Sequence, residues 1–202
     1  MDGDYIIPII GQILLIIAII SSVNQIFRFQ NAGNKLFRTI ALITQIFPFF
    51  FLVFAFILDF SSLKLVTEYG GADLPLLYRI SAVWGGRAGP LLLFAALMSI
   101  VTWLMTEREM LDYDVRIMHG FTLGILVISW FLEPFANSAG VTPSELNPLL
   151  QTDLMVIHPP VVFFYYALCI ATAAVAMGGV ISGKSAKDIH ESQLHWARAG
   201  FL

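Results

Sequence analysis

The long apolar runs of this chain restrict its fold more than any other feature of the sequence. A transmembrane helix needs about 20 apolar residues to cross roughly 30 Å of hydrocarbon. Only 12% of the 202 residues are charged, about half of the roughly 25% that is usual in soluble domains. The sequence therefore predicts an all-α, multi-pass integral membrane protein of the cell membrane or an inner organelle membrane. The expected spans are about 5–27, 39–58, 84–105, 117–133 and 159–182.

The first and fourth of these runs need comment. Asp2 and Asp4 stand where a secretory signal has basic residues, so the first run is expected to be a retained span. The fourth has only 16 charge-free residues, from Ile117 to Leu132, and relies on local thinning of the bilayer or on snorkelling. No segment is left over for a soluble domain, so residues 1–202 are expected to form a single membrane domain with no nucleic-acid partner.

The distribution of lysine and arginine predicts the orientation, because cytoplasmic segments are enriched in both. With the N-terminus outside and the C-terminus inside, eight of these residues fall on the inner side and three on the outer side. The outer loops are then about 60–83 and 134–158, and a short inner tail follows from Gly183. The inner residues are Arg28, Lys35, Arg38, Arg108, Arg116, Lys184, Lys187 and Arg198, and the outer ones are Lys64, Arg79 and Arg87.

A single histidine stands between the second outer loop and the last span. His158 precedes Pro159 and Pro160, and proline is tolerated in the first turn of a helix. His158 is therefore expected at or beside a helix cap, either as a polar cap or as a metal ligand. Zinc needs three or four protein ligands, whereas haem iron needs one or two, so a lone outer histidine suits haem better. His119, near the inner end of the fourth span, and His190 and His195 in the tail are expected at the surface or interface.

The outer loops also have a simple structural interpretation. The segment 70–75 is expected to form a turn, the aromatic residues an interfacial belt, and residues 84–90 the start of the third span. Glu145 is expected as a helix cap or first-turn acid. The run from Leu146 to Leu150 is expected to form a short amphipathic piece lying in the interface.

Several of these segments together resemble a known family. The ordered set Asp59-Phe-Ser61, Leu74-Pro75, Tyr78-Arg79, Trp84-Gly85, Gly89, Leu146-Asn-Pro-Leu-Leu-Gln151 and His158-Pro-Pro160 is similar to the CcmF-type haem lyases of cytochrome c maturation, which belong with the CcsA-type haem-handling membrane proteins. The resemblance runs over nearly the whole chain, and the segment from LNPLLQ to HPP is its most specific part.

The resemblance implies a function and a set of site residues. In the family, haem is held at the outer surface over a tryptophan-rich loop, the WWD domain, between two axial histidines. An apocytochrome c with a CxxCH sequence then adds its thiols to the haem vinyl groups. By motif His158 corresponds to the first axial ligand, and Arg79, Trp84 and Arg87 are expected at the cofactor site. A haem-delivery protein is a further expected partner.

The departures from the family pattern define what is expected of this chain. The WWD loop and the second outer histidine are not in the sequence, so the chain resembles an N-terminal piece of a split lyase, inactive alone, or a truncation. Arg87-Ala88 stands where the family usually has His-Glu, and Arg87 is expected either to pair with a haem propionate or to snorkel to the interface. Two alternatives remain open: a non-catalytic structural subunit of a respiratory or transport complex, and a transporter or channel component.

Overall fold

The fold is an all-helical bundle, as the sequence predicts. A computed structural model describes residues 5–27, 35–108, 112–144 and 146–201; the predictions made for Asp2, Asp4, Arg28 and Glu145 lie outside these ranges. The described residues contain no β-strand, only one isolated bridge between Leu63 and Asn137. The helices are α1 (Ile6–Phe27), α2 (Lys35–Ile57), α3 (Lys64–Tyr69), α4 (Leu76–Ala82), α5 (Ala88–Glu107), α6 (Asp112–Phe131), α7 (Asp153–Ile181) and α8 (Ala186–Ala199).

Five of these helices are long and apolar enough to cross a membrane, namely α1, α2, α5, α6 and α7. The chain is thus a multi-pass membrane protein, and the predicted number of spans is confirmed for the described residues. Most span boundaries differ from the expected ones by a few residues. The largest differences are at the starts of α6 and α7, which begin five and six residues earlier than the runs at 117–133 and 159–182.

The early start of α6 has a physical reason. Asp112 and Asp114 lie in its first turn, where negative charge is stabilised by the positive end of the helix dipole. A prediction that counts charge-free residues begins this helix only after Arg116, and so leaves out its first turn.

The early start of α7 corrects the prediction made for His158. Thr152 is the N-cap, and its side-chain oxygen accepts a hydrogen bond from the backbone N–H of Met155 at 3.3 Å. His158 therefore lies in the second turn rather than at the cap. Pro159 and Pro160 lie inside the helix.

Helix α5 is the central element of the bundle. It packs against α2, α6 and α7, while α1 packs against α2 and α6. The buried side chains of α5 include Ala95, Ala96 and Ser99, and small residues of this kind let neighbouring helices approach closely within a membrane.

The two long loops meet at one end of the bundle, here called the loop end (residues 58–87, 132–144 and 146–152). The backbone N–H of Lys64 donates to the carbonyl of Ala136 at 2.9 Å, and that of Ser144 donates to the carbonyl of Thr67 at 3.0 Å. The first loop is not irregular, because it contains α3 and α4. These bonds tie the loops into one layer over the ends of the helices.

The segment after α7 is a helix rather than the short tail expected from the sequence. Helix α8 runs antiparallel along α7: Ile189 packs against Gly179, Gln193 Nε2 donates to the carbonyl of Thr172 at 3.0 Å, and Gly200 lies beside Tyr165. The three contact points on α7 are seven residues apart, or about 10 Å per step at 1.5 Å per residue. Trp196 of α8 is buried in the core.

Candidate functional site

The Trp84 and His158 segments, which are far apart in the sequence, meet at the loop end. The indole N–H of Trp84 donates a hydrogen bond of 2.6 Å to the backbone carbonyl of Met155, 71 residues away. In a regular helix this carbonyl would accept from the N–H of residue 159, but Pro159 has none. Trp84 thus supplies the donor that the proline removes, and it is itself 7% exposed. We call this contact the Trp84–Met155 latch.

His158 lies on α7 one turn beyond the latch. Its side chain is exposed, and the part of the chain that the structure describes offers its imidazole no hydrogen-bond or ionic partner. Its backbone is part of a continuous helix fixed by the Thr152 cap and the Trp84–Met155 latch. The arrangement presents a nitrogen donor from a rigid support.

The glycines next to Trp84 permit close packing at the corner between α4 and α5. A Cβ atom on Gly89 would lie 1.7 Å from the carbonyl oxygen of Val83, so no larger residue fits there. A Cβ on Gly85 would lie 3.2 Å from both Tyr69 and Leu146. The corner that carries Trp84 is therefore positioned by backbone contacts that require glycine.

The segment Leu146–Gln151 forms a compact turn that leads into α7. Leu146 is fully buried, Asn147 Oδ1 accepts from the N–H of Leu149 at 3.0 Å, and Gln151 Nε2 donates to the carbonyl of Leu146 at 3.1 Å. The expected amphipathic piece is wrong in extent, since only Pro148–Leu150 forms a single 3-10 turn. The amide side chains explain why the turn is local and compact.

Arg79 bonds three backbone carbonyls that belong to two segments of the loop end. Its guanidinium donates to the carbonyl of Leu74 at 2.9 Å, to that of Ile57 at 3.1 Å and to that of Ala72. The carbonyl of Ile57 is one of those left without a helical donor at the end of α2. Arg79 thereby joins the end of α2 to the turn before α4.

Arg87, by contrast, is exposed at the N-cap of α5. Its side chain makes no capping bond, and the described residues place no acidic partner within ion-pair distance of it. It differs from Arg79 in having its charge available at the loop end.

The remaining histidines lie away from the loop end. His190 and His195 are exposed on α8, as expected, and His195 contacts Arg108. The surface position expected for His119 is wrong, because it is 6% exposed and faces the bundle interior. Gln45 Nε2 donates to Ser22 Oγ at 2.9 Å and lies 3.2 Å from Nδ1 of His119.

One feature of this region, the Met155 carbonyl, is difficult to read from the sequence. The Met155 carbonyl is a backbone group, so residue types alone do not reveal it, although a proline inside a helix signals a carbonyl that lacks its donor. Among the described residues no group of three or more His, Cys, Asp or Glu side chains is placed to hold a metal ion. A metal bound by His158 would therefore not be held by such a cluster within the described residues.

The fold and the loop end define a multi-pass helical membrane protein that presents one exposed histidine from a braced helix. A family model described as cytochrome C assembly protein matches residues 84–201, more than half of the chain. The chain therefore belongs to this family, and the match includes the latch, His158 and α8.

Individual relatives agree with this assignment. The cytochrome c-type biogenesis protein CcmF of Escherichia coli (strain K12) is 29% identical over 184 residues, covering 85% of this chain and 28% of the relative. CcmF of Pseudomonas aeruginosa is 30% identical over 151 residues, covering 68% and 22%, and NrfE of Haemophilus influenzae is 25% identical over 162 residues, covering 75% and 25%. The chain thus spans about a quarter of the length of these relatives. No solved structure matches it significantly.

Proposed function

We propose that this chain is the N-terminal part of a CcmF-like cytochrome c haem lyase and that His158 is one of two axial ligands of a haem iron at the loop end. In this proposal the loop end faces the outer side of the membrane. The haem is the substrate that is to be attached to an apocytochrome c. The observation that carries the proposal is the exposed imidazole of His158, which has no partner among the described residues and lies on a helix braced by the Trp84–Met155 latch.

The chemistry of the donor fits a haem iron. A porphyrin supplies four nitrogen ligands, so the protein needs to provide only the axial ones. A neutral imidazole is a common metal ligand, and His158 has no competing bond among the described residues. Because the helix around it is fixed at two points, a haem bound there would be held in one orientation, which aligns its vinyl groups for reaction.

The other predicted site residues act by different means in this proposal. Trp84 and Arg79 position the loop end, because their polar groups bond to backbone carbonyls of the chain itself. Arg87 is the residue proposed to meet a haem propionate, since its guanidinium is exposed and matches a carboxylate in geometry. The three residues thus divide into two positioning residues and one substrate contact.

A partner polypeptide completes the site. It would supply the WWD loop and the second axial histidine, while a haem-delivery protein and the apocytochrome c bind transiently. The reaction itself adds each cysteine S–H across a vinyl C=C bond, so one C–S and one C–H bond form and no oxidant is needed. On the face of α7 that carries His158, Val161 and Tyr165 are 60% and 43% exposed, which offers the partner an apolar surface.

The experiment is a substitution of His158 in the assembled complex. The chain is co-expressed with a WWD-containing partner in cells that lack their own haem lyase, and the complex is purified. We expect His158→Ala to lose haem from the complex and to abolish covalent haem in the c-type cytochrome, measured by absorption spectra and haem staining of gels. His190→Ala removes an exposed histidine on α8 and is the matched control, which should retain both.

The outcome also separates this function from that of a structural subunit. If the His158→Ala complex assembles and keeps its full haem content, the ligand role is refuted. If the native chain purifies with a respiratory or transport enzyme and without a WWD-containing partner, the assignment to a haem lyase is refuted as well.

A further inference from the structure

A cavity of about 350 Å³ lies between the start of α1 and the end of α6, away from His158. It is lined by Gln12, Leu15, Trp130, Glu133, Pro134, Phe135, Ala136 and Asn137. Its volume falls within the roughly 300–1,000 Å³ of sites that bind small molecules. The lining combines apolar residues with one carboxylate and two amides, and none of the described residues that form it is cationic.

Glu133 is the unusual member of this lining. It adopts a φ of +51°, a left-handed conformation that glycine adopts freely but other residues rarely do. It also precedes Pro134, and a residue before proline is driven toward extended conformations. The backbone conformation at this position favours glycine, so the turn gives no reason for a glutamate here. Such an outlier is grounds for a functional hypothesis.

The carboxylate of Glu133 is exposed and makes no ion pair within the ranges described. Beside it in the cavity lining, the Trp130 side chain is 39% exposed. An aromatic face attracts a cation, and a carboxylate accepts charge-assisted hydrogen bonds from one. The amide oxygen of Gln12 is a further acceptor, whereas that of Asn137 already accepts a hydrogen bond from the backbone N–H of Ala139 at 2.7 Å. The chemistry of the lining thus selects a compact ammonium group with several N–H donors.

The surroundings of the cavity indicate which kind of molecule would carry the ammonium group. The helix surfaces around its rim expose large apolar side chains, among them Ile9, Ile13 and Ile16 of α1 and Ile128 of α6. In a membrane protein these surfaces contact lipid. The cavity lies beside the end of α6 and the first three turns of α1, and Trp130 marks the level at which tryptophan and lipid headgroups meet. Leu15 and Phe135 line the cavity from the packed core and are only 1% exposed, so the exposed Ile9, Ile13 and Ile16 of α1 are the residues that an acyl chain would contact.

We propose that this cavity binds the headgroup of a phospholipid with a primary ammonium, of the phosphatidylethanolamine class, with Glu133 as the counter-ion and Trp130 as the aromatic wall. A primary ammonium is preferred over a trimethylammonium because only the former donates hydrogen bonds to Glu133 and Gln12. A headgroup with a net negative charge is disfavoured by the carboxylate of Glu133, which has no ion-pair partner among the described residues.

The test measures lipid binding to the purified chain in detergent by native mass spectrometry, with phosphatidylethanolamine, phosphatidylcholine and phosphatidylglycerol of identical acyl chains. We expect the ethanolamine lipid to bind preferentially. Glu133→Gln keeps the size of the side chain and should lower the affinity for the ethanolamine lipid by about tenfold, because about one charge-assisted hydrogen bond is lost. Asp73→Asn removes an exposed acid elsewhere at the loop end and should leave the preference unchanged.

A second variant separates binding from folding. Glu133→Gly relieves the left-handed conformation, so it should raise the midpoint of thermal unfolding while still losing the lipid preference. Equal binding of the three lipids, a preference that survives Glu133→Gln, or full competition by O-phosphoethanolamine without acyl chains would overturn the proposal. The last result would assign the cavity to a soluble amine instead of a lipid.

Discussion

The Trp84–Met155 latch gives a prediction whose size follows from the structure. In Trp84→Phe the ring remains but the indole N–H is lost, so the Met155 carbonyl keeps neither its helical donor nor its replacement. Hydrogen bonds between membrane helices contribute about 0.6 kcal/mol on average, and an unsatisfied buried acceptor costs about 1–3 kcal/mol. Because the contact is partly buried, we expect a loss of about 1–2 kcal/mol in the free energy of unfolding.

A double-mutant cycle with Pro159→Ala isolates the hydrogen bond from the change in ring size. Alanine at position 159 restores a backbone N–H that bonds the Met155 carbonyl within the helix. In this background Trp84→Phe should cost about 1 kcal/mol less than in the native chain. The assay is reversible unfolding in mixed micelles followed by the loss of helical circular dichroism. An equal cost of Trp84→Phe in both backgrounds would refute the reasoning, because the carbonyl would then not depend on Trp84.

The remaining predictions concern the backbone contacts that shape the loop end. Gly89→Ala places a methyl group against the Val83 carbonyl and should lower the free energy of unfolding by about 3 kcal/mol or prevent folding. Gly124→Ala is the control: its Cβ meets nothing within 4 Å, so it should be neutral or slightly stabilising in the same unfolding assay. Arg79→Lys replaces the planar guanidinium, which bonds three carbonyls at once, and should lower the free energy of unfolding by about 1–2 kcal/mol. Arg87→Lys should change the free energy of unfolding by less than about 0.5 kcal/mol. Equal effects of the two substitutions would contradict the role given to Arg79.

The spans were predictable from the sequence because a run of apolar residues long enough for a bilayer has few alternatives to a helix. Their boundaries were less predictable. At α7 the Thr152 cap determines the start, and Pro159 and Pro160 are accommodated in the following turns. The sequence rule that proline favours the first turn of a helix placed His158 too near the N-terminus of α7. It did not account for an external donor that satisfies the carbonyl freed by Pro159.

The proximity of the Trp84 and His158 segments could be predicted from the sequence, but their contacts could not, and the role of these residues at a haem site stays a prediction. Motif resemblance brought Trp84 and His158 into one region, and the latch connects their segments. That Trp84 reaches a backbone carbonyl 71 residues away depends on how α5 and α7 pack, which no local pattern specifies. For His119 the position itself was mispredicted. Because it lies near the end of a predicted span, a surface position was expected, but it faces Gln45 in the bundle interior.

The Trp84–Met155 latch also implies an order of assembly. The corner that carries Trp84 is synthesised well before the α7 segment, so the indole N–H has no carbonyl to bond until the last of the five long helices is in place beside α5. The hydrogen bonding of the first turns of α7 would be complete only after α7 has packed beside α5. The helix turns that carry the imidazole would therefore become fixed only after α7 has docked beside α5.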